Sequence, residues 1–242
     1  MADIMNKIID IHNHSLPLVD DGAKSFDEAI ENITYLKTLG INDIILTSHY
    51  NPNIKSTKKV EDRLSILEEL KLATKSLNVN LYLGNEVFIN DTNTLRELLD
   101  NRSITTLNNS KYLLLELPFS QKVHHIENII CELNDLGITP IIAHPERYFY
   151  YDIADIKKLL EYNCLIECNL TSLVGCYGSD AKKKIKKYLK NGLVSFLATD
   201  FHHYKDNKLE IALKKLTKYI TEEEKNNLLY NNPLQVLQNN NI

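Results

Sequence analysis

An α/β fold built on a parallel sheet is what this chain predicts, from three observations. Seven short apolar runs alternate with longer segments of helical period along its 242 residues. The runs are apolar nearly throughout, as strands are when helices cover both faces of their sheet. Gly40, Gly137 and Gly192 each fall just past a helical segment, where a left-handed cap is needed. A closed β/α barrel and an open doubly wound sheet fit this alternation equally.

Taken in order, KIIDIH (7–12) predicts the first strand and residues 26–38 the first helix, with Ser25 and Glu28 spaced as a capping box. DIILTS (43–48) and NLYLGNEV (80–87) predict the next two strands, around a helix over 57–76. Helices over 92–100 and 123–135 flank the strand KYLLLEL (111–117). TPIIAH (139–144) and CLIECNL (164–170) follow, separated by a helix over 152–162. A helix over 179–190 precedes LVSFLAT (193–199), and another covers 206–219. The lysines of KKKIKKYLK (182–190) form a solvated helix face, because Ile185 and Leu189 share the opposite side. The Asn-rich end, within 221–242, predicts one or two short helices that then fray. No change of composition marks a boundary, so residues 1–242 read as a single domain with a short helical tail.

A net charge of −4 argues against a nucleic-acid platform, which shows a basic excess. No run of 18 or more apolar residues exists, so no membrane insertion is expected. The opening MADIMNKIID lacks the basic-then-apolar layout of a secretory signal, and a cytoplasmic location is the expectation. Cys131, Cys164, Cys168 and Cys176 are then expected as free thiols.

In parallel β/α folds the chemistry gathers at the C-terminal ends of the strands. There the seven runs deliver, in order, His12 and His14 with Asp20 and Asp21; His49; Glu86; Glu116; His144; Cys168 and Asn169; Asp200 and His202. His12 and His14 lie two positions apart on an extended run, so they share a face. Any one of these residues alone reads as a capping or surface group; together they read as a site. Carboxylates gathered in one concavity would raise one another's pKa, a conflict that metal ions remove. Nitrogen and oxygen donors without thiolate suit Mn²⁺, Fe²⁺, Zn²⁺ or Mg²⁺. The donors outnumber what one ion takes, so two or three divalent ions are expected, with Glu86 as a bridge.

The stretches DIHNHSLPLVDDGAKSFDEA, TSHYNP, GNEV, LLLELP, AHPERY and TDFHH resemble, in order, the motifs of the polymerase-and-histidinol-phosphatase (PHP) superfamily. The H-x-H-x-L-P-x-x-D-D-G opening is most similar to its bacterial tyrosine-phosphatase branch, associated with capsular and exopolysaccharide synthesis. The resemblance runs from residue 8 to about 205. It implies a distorted seven-stranded TIM-like β/α barrel and a trinuclear site, typically of manganese. Its metal ligands would be His12, His14, Asp21, His49, Glu86, Glu116, His144, Asp200 and His202. Asp21 is chosen because the family's ligand corresponds to the second of the pair, which leaves Asp20 to hold the loop or the ligands' surroundings. The resemblance also carries Arg147 as a phosphate contact, and Arg147, Asp200 and His202 as the catalytic group. Two departures stand out. Leu18 replaces a usual glycine, and Asn207 replaces a second phosphate-binding arginine, for which Lys205 or Lys208 would have to substitute without the bidentate fork.

The activity implied is hydrolysis of a phosphotyrosine protein, a cytoplasmic tyrosine kinase of polysaccharide export, by a metal-activated water. A small-molecule phosphatase acting on histidinol phosphate and a non-catalytic kinase-docking module are the alternatives. A phenolate leaves with a pKa of about 10, so the demand for a general acid is modest. A cysteine nucleophile is excluded by pattern: six positions past the four cysteines stand Gly137, Leu170, Val174 and Lys182, never arginine. The aromatics of RYFYYD (147–152) either flank a substrate ring, with Tyr148 as a substrate contact, or fold onto the barrel. His124, His125 and His203 read as surface residues or supports of the ligands.

Overall fold

A computed structural model describes residues 7–51, 58–89, 95–203 and 208–242. The alternation read from the sequence is realised in order. β1 (Ile8–Asn13), α1 (Phe26–Thr38), β2 (Ile41–Leu46), β3 (His49–Tyr50) and α2 (Val60–Ala73) come first. β4 (Asn80–Leu83), β5 (Glu86–Phe88), α3 (Leu95–Asp100), β6 (Tyr112–Glu116) and α4 (Ile126–Asp135) follow. Then come β7 (Thr139–Ile142), α5 (Ile153–Glu161), β8 (Leu165–Asn169), α6 (Gly178–Lys190) and β9 (Phe196–Ala198). The chain ends with α7 (Leu209–Leu216), α8 (Glu222–Asn226) and α9 (Asn232–Gln238).

Every strand pairing among the described residues is parallel, and the order is β1-β2-β4 in one sheet and β3-β5-β6-β7-β8-β9 in the other. The runs expected as single strands over 43–48 and 80–87 are each broken, and this divides the sheet. At the second break Gly84 has no room for a side chain: a Cβ there would lie 2.8 Å from Leu107 and 3.0 Å from Ile45. Asn85 next to it spends its side chain on backbone, donating to Ser48 O (2.9 Å) and accepting from Thr105 N (2.9 Å). The two halves stay joined across the break by Gly84 N–H to Leu46 O (2.9 Å) and Glu86 N–H to Thr47 O (3.2 Å). Past β9 the chain returns to β1, with Asp200 N–H on His12 O (2.9 Å) and His14 N–H on Phe201 O (3.0 Å). The result is a curled parallel sheet with helices outside.

Two apolar layers follow from strand alternation. Ile9, Ile11, Ile45, Leu114, Ile141, Ala143, Phe196 and Ala198 point inward and form a core within the curl. The opposite faces of the strands pack on the helices through Ile33, Leu36, Leu67, Ile130, Leu133, Ile185 and Leu189. On α6, Ile185 and Leu189 are buried while most of the lysines are not, the solvated face the pattern predicts.

Two details differ from expectation. Ser25 Oγ does accept from Glu28 N–H (3.1 Å), but the Glu28 carboxylate reaches back to Lys24 N–H (2.8 Å) rather than to Ser25. The C-terminal segment forms short helices, as expected, and they are anchored more firmly than a polar composition suggests. Thr221 and Glu224 form a capping box that starts α8, and a π-helical turn over Asn227–Asn231 leads into α9. Val236 is fully buried against the inner core, so this helix closes the end of the curl remote from the strand C-termini. Asn239 accepts from Lys111 N–H (2.8 Å), and Asn240 O accepts from Tyr112 OH (2.6 Å), fixing the end of the chain to the start of β6. No helix among the described residues is long and apolar enough to cross a membrane.

Candidate metal centre

β1 is irregular between Asp10 and Asn13 and brings His12 and His14 together at its C-terminal end, where the geometry of the two imidazoles sets the site. His12 Nδ1 faces Glu167 Oε2 at 3.1 Å, and His14 Nδ1 faces Asp20 Oδ2 at 2.9 Å. A carboxylate is an acceptor, so each Nδ1 carries the proton in the neutral ring and each Nε2 is a bare donor. The two Nε2 atoms lie 3.1 Å apart. Glu86 Oε2 joins them at 3.2 Å from His12 and 3.4 Å from His14, and Asp200 Oδ1 at 3.5 and 3.4 Å. All four side chains are buried, and Glu86 Oε2 makes no well-aligned hydrogen bond. A tetrahedral ion with bonds of about 2.1 Å has ligand–ligand edges of about 3.4 Å, so this cage has the size of a cation site.

Three further groups share residues with it. Glu86 Oε1 lies 2.9 Å from His144 Nε2, and His12, Glu86 and His144 form one cluster. His49 Nδ1 lies 3.0 Å from Glu86 Oε2 and 3.7 Å from Glu116 Oε2. Asp21 Oδ1 lies 3.5 Å from both His49 Nε2 and His202 Nε2, forming with His14 the outermost group. All nine residues expected as ligands thus meet at the strand C-termini, where His12, His14 and Asp200, together with these three groups, could hold metal ions among the described residues. Exposure grows outward: Glu86 is sealed, whereas the Asp21 side chain is 68% exposed.

The electrostatics answer the expected conflict among carboxylates only in part. Glu116 behaves as predicted: burial, with Glu86 beside it, pushes it up to about 7. Glu86 and Asp200 go the other way. Burial alone would raise them, but His12 and the imidazoles around it hold both well below the usual carboxylate range. His12 and His14 are correspondingly raised, since their carboxylate neighbours outweigh burial. His144 is the exception. Burial and the Arg147 guanidinium pull it down to about 4, so the ring is neutral at pH 7. His144 and Asp200 also carry left-handed backbone (φ 36° and 48°), a strain that non-glycine residues adopt mostly where a site demands it.

Arg147 borders the cluster. Its Nη1 donates to Asp200 Oδ2 (2.9 Å), and its guanidinium lies between the rings of Phe119 (4.7 Å) and Tyr177 (4.3 Å). Asn169 Nδ2 (2.7 Å) and Tyr177 OH (3.1 Å) donate to the same Oδ2, leaving Oδ1 to the imidazoles. Tyr148 is a correction. It is fully buried, its hydroxyl accepts from Leu117 N–H (2.9 Å), and it cannot meet a substrate; Phe149 is the exposed ring of that run. Lys205 and Asn207 lie outside the described residues. His124 and His125 are exposed, and His203 pairs with Glu28 (2.8 Å).

Asp20 holds His14, the His49 N–H (2.9 Å) and the Gly22 N–H (3.0 Å), the supporting part expected of it. Glu167 was not among the expected residues. The sequence does carry its signal: in LIECN, Glu167 and Asn169 alternate onto the inner face and Cys168 turns outward, buried. Burial pushes the Cys168 thiol well up and Cys164 to about 12, which makes both inert, and all four cysteines are free.

Known proteins share this arrangement of the chain. CapC of Staphylococcus aureus is 32% identical over 231 residues, covering 88% of each chain. The tyrosine-protein phosphatase YwqE of Bacillus subtilis (strain 168) is 29% identical, over 82% of this chain and 78% of that one. A crystal structure from work on YwqE of B. subtilis and CpsB of Streptococcus pneumoniae, described as unique metal-dependent tyrosine phosphatases, matches with a TM-score of 0.87. Its identity is 28%, over 97% of this chain and 96% of the other. The family model for capsular polysaccharide synthesis proteins of the CpsB/CapC type matches residues 8–238. From Ile8 through Gln238, therefore, the chain belongs to the CpsB/CapC family of capsular polysaccharide synthesis.

Proposed function

We propose that this chain is a metal-dependent protein-tyrosine phosphatase acting in the cytoplasm on a bacterial tyrosine kinase of capsule or exopolysaccharide synthesis. The observation that carries the reading is the meeting of His12 Nε2 and His14 Nε2, 3.1 Å apart, with Glu86 Oε2 and Asp200 Oδ1, each 3.2–3.5 Å from both nitrogens. The names of its relatives support the substrate class. In this reading His12, His14, Asp21, His49, Glu86, Glu116, His144, Asp200 and His202 hold two or three ions. Mixed imidazole and carboxylate donors suit Mn²⁺, Fe²⁺ and Zn²⁺ alike; the resemblance to the PHP superfamily favours Mn²⁺, with Fe²⁺, Zn²⁺ or Mg²⁺ as alternatives. Glu86 would serve two ions, because its two oxygens face different imidazoles.

Divalent ions at such a site supply positive charge to the phosphoryl oxygens and a water ionised near neutral pH. The protein's own groups do the positioning. Arg147 grips phosphoryl oxygens bidentately, with the Phe119 and Tyr177 rings holding its guanidinium plane. Asp200 joins the two halves, one oxygen toward the imidazoles and one on Arg147. His202, stacked on His14 at 4.1 Å and partly exposed, stands on the side from which substrate enters. We read β2 with β3 and β4 with β5 as two interrupted strands, which makes the curl a distorted seven-stranded barrel and the chain one domain.

Metal-stripped protein titrated with Mn²⁺, Fe²⁺, Zn²⁺ and Mg²⁺, and assayed on a phosphotyrosine peptide beside histidinol phosphate, tests the reading. Metal-dependent turnover of the peptide is expected, lost with metal content in His144→Ala and kept in Cys168→Ser. Preference for histidinol phosphate would make the chain a small-molecule phosphatase. Absence of turnover with every ion would make it a docking module.

A further inference from the structure

Phe119 is a large apolar side chain held at the surface. It is 41% exposed, although it lies only three residues past the buried strand β6. The backbone before it is anchored: Leu117 N–H donates to Tyr148 OH (2.9 Å), and Pro118 O accepts from Tyr150 OH (2.6 Å). These bonds hold the turn so that the ring stands at the mouth of the cluster. One neighbour is the His144 ring, nearly parallel at 15° with centroids 5.8 Å apart. Another is the Arg147 guanidinium, 4.7 Å from the ring centre. Among the described residues no other exposed aromatic touches both. Tyr148 and Tyr151 are buried, Phe149 has its ring contact with Tyr150 (5.3 Å), and Tyr177 gives its hydroxyl to Asp200.

We propose that Phe119 is a specificity-determining residue: the phenyl ring of an aryl phosphate monoester stacks on it, so the site prefers aryl to alkyl phosphates. The inference rests on the phosphatase reading and deepens it. In an aryl ester one oxygen separates the ring from phosphorus. A phosphoryl group between Arg147 and the His144 side of the cluster therefore carries its ring into the roughly 4.5–7 Å range of aromatic contact with Phe119. An alkyl ester reaching the same anchors offers Phe119 no π-face.

The test uses the Mn²⁺-loaded protein and two inert phosphonates, benzylphosphonate and ethylphosphonate, with binding read by calorimetry. The ratio of the two affinities cancels any change in how the shared phosphonate group is held. Wild-type protein should bind the benzyl compound more tightly. Phe119→Leu keeps an apolar cover on Arg147 and should weaken benzylphosphonate about tenfold, the scale of a lost aromatic contact, with ethylphosphonate shifted less than about twofold. Phe119→Tyr should retain the wild-type ratio. Equal loss of both ligands in Phe119→Leu would reduce Phe119 to a support for Arg147 and overturn the proposal. So would an unchanged ratio, or a wild-type protein that binds neither compound or both alike. A benzyl preference that depends on Phe119, in a protein that hydrolyses no phosphotyrosine peptide, would leave this inference standing and remove the phosphatase reading instead.

Discussion

Leu18 holds left-handed backbone (φ 62°) with a 55% exposed side chain, at the position where the resembling family carries glycine. The left-handed conformation costs an L-residue about 1–2 kcal/mol, and glycine's extra unfolded freedom returns about 0.5–1 of that. Leu18→Gly should therefore raise the melting temperature by about 1–3 °C, a shift that calorimetry resolves; a fall would mean the exposed leucine makes a contact that matters. Gly22, four residues on, tolerates no such exchange, since a Cβ would lie 1.9 Å from His14 O. Glu167 carries the second prediction at this scale. It fixes the His12 tautomer, and Oε2 also accepts from His144 N–H (3.2 Å). Glu167→Gln should weaken Mn²⁺ binding about tenfold or more in a calorimetric titration, with the fold intact by circular dichroism. Unchanged affinity would show that His12 is oriented by packing alone. The clustered side chains were legible because strand ends collect them without coordinates, and the family resemblance then selected nine of them, Asp21 rather than Asp20 included. Glu167 was passed over for Cys168, although the period of two selects the glutamate. Tyr148 was misread because a sequence shows that aromatics follow Arg147 but not which of them turns inward.

At the scale of elements, the strands were legible from their apolar runs, but their interruptions were not. The breaks precede His49 and Glu86, and at the second, residues distant in sequence act on the turn: the Leu107 side chain crowds Gly84 and the Thr105 backbone N–H bonds the Asn85 side chain. They matter because they re-aim the chain, so that two ligands emerge from the short strands β3 and β5. The C-terminal helices were expected, but not how they seat: an Asn-rich composition reads as polar, while a buried position or two suffices to hold a helix in place. In α9 these are Pro233 and Val236, and Val236 is fully buried. Val236→Asp puts an unpaired carboxylate into the inner core and should cost more than about 3 kcal/mol in urea unfolding, or prevent folding. Gln238→Asp, on the exposed side of the same helix, should change stability by less than about 0.5 kcal/mol. Equal small effects would mean that α9 is dispensable to the sheet it covers.

For the whole molecule the cluster makes stability a joint function of pH and metal. In the metal-free protein His12 and His14 titrate well above 6.5, because Glu86, Asp200 and Asp20 outweigh the effect of burial. A folded-state pKa raised in this way contributes stability that is complete below pH 6.5 and is lost as pH rises through the folded values. Glu86 and Asp200 titrate below the usual range, so their share is present at neutral pH and lost toward acid. The metal-free protein should therefore lose stability on both sides, and its alkaline loss begins near neutrality. Bound ions replace those protons. Their affinity rises with pH, and they stabilise the folded state in proportion to the logarithm of concentration over dissociation constant. The difference in melting temperature between Mn²⁺-loaded and chelator-treated protein should accordingly widen steadily from pH 6 to pH 8. Melts across that range at fixed free Mn²⁺ measure it directly. A difference that stays constant would mean that no imidazole proton is displaced, and that the two histidines of β1 do not meet the ion through nitrogen.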